Sequence, residues 1–173
     1  MKHWFLALLL LLSGAAQAQP IIGLGTTPLT SAWMQNDKAF VLNNIPVDLP
    51  GLSINLLAGH TYSFRVELFY TDTWTGNNGG IQVVMNGDVI PASIIYEGWQ
   101  FENNSVLGQG QQTALGGAVA AGASSATSGH AQIVGTIMVA TAGALTVQAA
   151  QYSANSIPTV VTRGSFFIAT DMP

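Results

Sequence analysis

The segment Tyr96-Glu97-Gly98-Trp99-Gln100-Phe101-Glu102 holds the residues best suited to chemistry. Two carboxylates there flank two aromatic rings, and a carboxylate pair at the right separation is all that glycoside cleavage requires. The same residues could contact a sugar without cleaving it, with the rings stacked on its apolar face. They also describe a plain strand end with two packed aromatics, which is the simplest reading. Trp74, Tyr96 and Trp99 are the candidate glycan or surface contacts. Glu67 and Asp72 are further carboxylates, but Glu67 lies two residues from Arg65, on the same face of an extended strand. That spacing suits a structural ion pair.

Other chemistry is sparse. His60 sits at a turn and His130 follows a Gly-rich stretch, without the clustered spacing of a metal site. Cysteine is absent, which removes disulfides, thiolate zinc sites and a thiol nucleophile. Gly122-Ala-Ser124-Ser-Ala126 misses the nucleophile-elbow pattern at its last position. Gly23-Leu-Gly25 and Gly108-Gln-Gly110 lack the third glycine of a dinucleotide loop. Asn103-Asn-Ser105 fits an N-glycosylation sequon. The expectation is a non-enzymatic protein with no catalytic residues, no cofactor and no metal.

Composition narrows the partners. Charged residues make up 7% of the 173 residues, against about 25% in typical soluble domains. Net charge is −4 and no basic run occurs, so a nucleic-acid backbone would find no electrostatic footprint. Thr, Ser, Asn, Gln and Gly supply the polarity instead, a mixture suited to strands, turns and faces covered by other copies of the chain.

The elements that must position these residues follow a period of two. Leu57 to Tyr70 places Tyr62, Phe64, Val66, Leu68 and Tyr70 on one face. Ser63, Arg65, Glu67 and Phe69 fall on the other. Further strands are expected at Phe40–Leu42, Leu52–Leu56, Ile81–Met85, Val89–Tyr96, Ala131–Ala140, Leu145–Tyr152, Val160–Thr162 and Gly164–Ala169. Asn86-Gly87 reads as a type I′ hairpin, and Pro91 marks an edge or bulge. Turns are expected at Ala58-Gly59 and at Thr141-Ala-Gly143. In the low-complexity tract 107–129 a small-residue strand near Thr113–Ala120 is favoured over one long loop.

Residues 1–18 have the n-region, apolar run and Ala16-Gln-Ala18 site of a cleavable signal peptide, too short to span a bilayer. Residues 19–45 read as an extended arm or linker, in which Trp33 and Met34 could anchor a neighbouring subunit or cap their own domain. Residues 46–173 form the expected domain. The fold class is all-β: an antiparallel, jelly-roll-like β-sandwich preceded by signal peptide and arm. The leader implies export, with no stable membrane insertion after cleavage.

One family resemblance runs through roughly Leu49 to Met172. Gly51-Leu-Ser-Ile-Asn-Leu-Leu-Ala-Gly-His-Thr-Tyr-Ser-Phe64 comes early, followed by Gly79-Gly80 and a strand. Ile133-Val-Gly-Thr-Ile-Met-Val and Ala142-Gly-Ala-Leu-Thr-Val-Gln-Ala-Ala-Gln151 come late, and Arg163-Gly-Ser-Phe-Phe167 closes the series. This order resembles a recurring β-sandwich domain of tailed-phage virion proteins, and more distantly the trimeric jelly roll of tumour-necrosis-factor and complement-type heads. The resemblance implies a non-enzymatic virion part, such as a capsid decoration, head-fibre or tail-associated protein. It further implies assembly as a homotrimer, with other virion proteins or cell-surface glycans as partners and the virion as location. No catalytic residues are carried over. A signal peptide departs from that pattern, because phage structural proteins assemble in the cytoplasm.

Overall fold

Tyr62, Phe64, Val66, Leu68 and Tyr70, the apolar set of the alternating segment, are all buried in the computed structural model. It describes residues 29–72, 80–103, 105–123 and 128–172. The expected signal peptide, residues 19–28 of the expected arm, Trp74 and Ser124 to Ala126 of the near-miss elbow lie outside the described residues.

Among the described residues the chain forms twelve strands in two antiparallel sheets. The larger sheet contains β1 (Leu29–Trp33), β4 (Thr61–Asp72), β6 (Ile90–Glu102), β7 (Ser105–Gln112), β9 (Ser128–Thr141) and β12 (Phe166–Met172). They are ordered β1-β12-β4-β9-β6-β7, with β11 (Thr159–Val161) and β2 (Lys38–Phe40) beside the far end of β4. The smaller sheet is β3-β10-β5-β8, from Val47–Leu56, Gly143–Gln151, Ile81–Gly87 and Ala118–Ala121 respectively. Strands β1, β3, β4, β5, β8, β9, β10 and β12 have the order of a jelly roll, which wraps two Greek keys into facing sheets. The hairpin β6–β7 is inserted between β5 and β8, and it widens the larger sheet beyond β9.

One connection differs from the sequence expectation: Asn86-Gly87 does not close a hairpin, because β5 and β6 lie in different sheets. The expected turns at Ala58-Gly59 and Thr141–Gly143 likewise pass the chain from one sheet to the other. Gly87 remains in β5, paired with Leu145, and a Cβ there would lie 2.0 Å from the Ala144 carbonyl oxygen. The turn residues were legible, but their partners were not. Pro91 does mark a bulge, where the register of β6 against β9 shifts.

The inner faces meet in one core. The Phe64 ring packs edge-on to Phe167 at 6.2 Å and tilted to Tyr96 at 6.3 Å. Leu52, Ile54, Leu56, Val83, Met85, Leu145 and Val147 supply the facing side from the smaller sheet.

The described part of the expected arm is built into this domain. Strand β1 pairs along its whole length with β12, and β2 pairs with β11. Met34 is 1% exposed, and its N–H donates to the Ser165 carbonyl at 2.9 Å. It caps its own core and has no surface to offer a neighbour. Burial of Met34 and Phe40 is the physical reason that the domain extends to Leu29 rather than starting at residue 46.

The 107–129 tract also resolves differently. Thr113–Gly117 is a turn, and the strands β7 and β8 lie on either side of it. These strands belong to different sheets, yet their backbones nearly touch. A Cβ on Gly108 would lie 2.1 Å from the Ala121 carbonyl oxygen, and one on Gly110 would lie 3.0 Å from that of Val119. Small residues here let the two sheets close along this side.

Candidate functional site

The outer face of the larger sheet collects most of the chemistry-bearing side chains, and its rows follow from strand register. One row runs Ser31, Ile168, Arg65, Val134, Glu97, Gln111 from β1 to β7. The next runs Trp33, Phe166, Glu67, Gln132, Trp99, Gln109. A third holds Phe69, His130, Phe101 and Val106. Neighbours within a row stand about 4.5–5.5 Å apart at Cβ, within reach of each other.

This face divides into three zones. The β1–β12 side is uncharged, with Leu29 64% and Trp33 57% exposed beside Phe166 and Ile168. In the middle, Arg65 and Gln132 converge on Glu67. The Arg65 Nε–H donates to Glu67 Oε1 at 2.9 Å, a second guanidinium N–H reaches the same oxygen, and the Gln132 amide donates to it at 2.6 Å. The ion pair expected from the spacing of Arg65 and Glu67 is therefore present, and it leaves Arg65 committed within the chain.

The β6–β7 side is amide-rich. Glu97, Gln109 and Gln111 are exposed and Trp99 is half-buried. With Gly110 they surround a 260 Å³ depression. A second depression of 410 Å³, over Gly135, adjoins it and shares Glu97 and Gln111. Farther along, the imidazole of His130 stacks on Phe101 with ring centres 4.6 Å apart.

The expected platform residues separate. Trp99 lies on the accessible face. Tyr96, three residues before it, points inward and is 1% exposed, its hydroxyl shared between the carbonyls of Ala114 and Gly117. Burial pushes its phenol up to about 12, because the anion would lose its hydration. Tyr96 is a core residue, and strand parity is the reason: beyond the bulge, from Ile94 on, even positions of β6 face inward. Trp33 is exposed on the edge strand of the described sheet, whereas Met34 is buried.

Parity also separates the two carboxylates of the opening segment. Glu97 faces outward beside Val134 and Gln111, while Glu102 faces inward and is 5% exposed. The two lie on opposite faces of β6 and do not form an acid–base pair across one substrate. The histidines are likewise apart. His60 Nδ1 lies 2.6 Å from an Asp171 carboxylate oxygen, at the opposite end of β9 from His130. No cluster of three or more metal-ligating side chains occurs among the described residues.

Gln109 and Gln111 were missed as site residues. Their signal was present: Gly108-Gln-Gly-Gln111 alternates small and polar with a period of two, which is a strand with one face packed closely and the other wet.

Comparison with protein-family models gives no match, and comparison with curated proteins finds no relative. The fold itself is an all-β, antiparallel, jelly-roll-like sandwich.

Proposed function

We propose that this is a non-enzymatic structural protein that assembles into homo-oligomers, of the kind that decorates a virion or forms part of a fibre or tail. The observation that supports the reading is β1, the edge strand of the larger sheet among the described residues. Sheet edges in monomeric proteins are guarded by charge, proline or bulges. Leu29-Thr-Ser-Ala-Trp33 has none of these, and its outward side chains continue an uncharged surface through Phe166, Ile168 and Thr170. Such an edge suits burial against a second copy, with Trp33 as the large aromatic anchor that interfaces favour. The low charge of the whole chain fits the same role. Its resemblance to phage virion domains and to trimeric jelly-roll heads supplies the expected number of copies, three.

Light scattering on the purified protein tests the reading. A trimer at micromolar concentration is expected, and a monomer would overturn it. Trp33→Glu places an unpaired charge at the contact, worth about 3 kcal/mol, or ~100-fold in dissociation constant. The variant should run as a monomer and melt like the parent, since Trp33 is exposed in the single chain.

A further inference from the structure

The β6–β7 hairpin lies outside the eight strands that make the jelly roll, and the side chains of its outer face take no part in the hydrophobic core. That face nevertheless carries an unusual set of groups. Trp99, Glu97, Gln109 and Gln111 converge on one depression. Among the described residues none of these four side chains is hydrogen-bonded within the chain. The contrast with the middle of the same sheet is sharp, because Arg65, Glu67 and Gln132 there satisfy one another. The depression continues past Glu97 and Gln111 into a trough lined by Ile95 and Thr136, so the accessible groove runs along β6 from Trp99 to Ile95. Four residues of strand span roughly 13 Å, which is longer than a single small ring requires.

We infer that this groove binds a short neutral glycan. The indole of Trp99 offers a flat apolar surface with a polar edge, the combination that accepts the C–H face of a pyranose while its N–H takes up a hydroxyl. Carboxamides at Gln109 and Gln111 each carry donors and acceptors, which matches hydroxyl groups that do both. Glu97 accepts from two neighbouring hydroxyls with its two oxygens. It is also the only charged side chain among these groups, and the nearest cation in its row, Arg65, is already held by Glu67. A uronate or sialylated chain would therefore meet repulsion with no compensating cation, and the groove selects uncharged sugars.

This surface is separate from the β1 edge, four strands away across the sheet, so the two proposals fail independently. Isothermal titration of the full protein with cellohexaose, maltohexaose and mannohexaose, and with hexagalacturonate as the acidic counterpart, tests it. At least one neutral hexasaccharide should bind, and hexagalacturonate should bind at least ~10-fold more weakly. Trp99→Ala should lower the neutral affinity at least ~10-fold and leave the oligomeric state unchanged. Trp33→Glu should alter the oligomeric state and leave glycan affinity unchanged. Glu97→Gln should narrow the gap between neutral and acidic chains. Because Trp99 is half-buried, the exposed double change Gln109→Ala, Gln111→Ala provides the same test without risk to the core. Failure of all three neutral sugars to bind, equal binding of hexagalacturonate, or parental affinity in both site variants would each overturn the inference.

Discussion

Gly108→Ala probes how the sandwich closes, and its cost can be worked from one distance. Gly108 has an ordinary extended backbone, since its φ is not among the positive values, so alanine meets no conformational penalty and even gains about 0.4–1 kcal/mol from a less flexible unfolded chain. Space is the obstacle. The new methyl would lie 2.1 Å from the Ala121 carbonyl oxygen, more than 1 Å inside a contact distance of roughly 3.5 Å. The obstructing atom is backbone, so β7 or β8 must move as a strand. Overpacking ordinarily costs about 1–3 kcal/mol, and an immobile partner places this case at the upper end, near 3 kcal/mol net. For a domain of this size that lowers the melting temperature by roughly 6–12 °C. Gly122→Ala and Gly110→Ala, whose methyls would stand 2.9 and 3.0 Å from carbonyl oxygens of Leu107 and Val119, should each cost less. Gly116→Ala is the control for backbone strain alone: φ is +91° and nothing lies within 4 Å, so about 1–2 kcal/mol is expected. Thermal and urea unfolding of the four variants gives the ranking. A Gly108→Ala protein that melts within ~2 °C of the parent, or above Gly110→Ala, would refute the close approach of β7 and β8.

Two further outcomes follow from buried polar groups. Tyr96 holds its phenol neutral up to about pH 12, so its contribution to stability is full below the unfolded value near 10 and is lost as pH rises through 10 towards 12. Denaturation followed between pH 9 and 12 should show that loss, and Tyr96→Phe should flatten it while costing about 1 kcal/mol at neutral pH for the hydroxyl's bonds to Ala114 and Gly117. Gln151 is fully buried; its oxygen accepts from Asn43 N–H at 3.1 Å and its amide donates to the Ile157 carbonyl at 2.8 Å. Gln151→Leu keeps the volume but strands both loop groups, and about 2–3 kcal/mol should be lost in urea unfolding.

Individual strands were readable wherever one face is buried. The alternation from Tyr62 to Tyr70 names the inward row of β4 correctly, because a pleated strand turns successive side chains to opposite faces. The same rule could have moved Tyr96 from the surface to the core and separated Glu97 from Glu102. Low complexity hid β7, where glycine and glutamine alternate without the apolar signal that marks a strand.

Sequence alone determined the all-β class, the inward row of β4 and the scarcity of charge, since each depends on residue types and their local period. It also located the turn at Ala58-Gly59 and the strand break within Thr141–Gly143, while Asn86-Gly87 stayed in β5 with the break just after it. Tertiary structure decided what those turns join. A glycine turn serves a hairpin and a crossing between sheets equally well, and the choice rests on pairings between distant segments, such as β4 with β12 and β3 with β10. The same long-range registers bring Trp99 beside Gln109 and Gln132, and leave Trp33 on the edge strand of the described sheet. Those neighbours are set by hydrogen bonding across strands and by burial of the opposite face, neither of which is carried by any one segment of the chain.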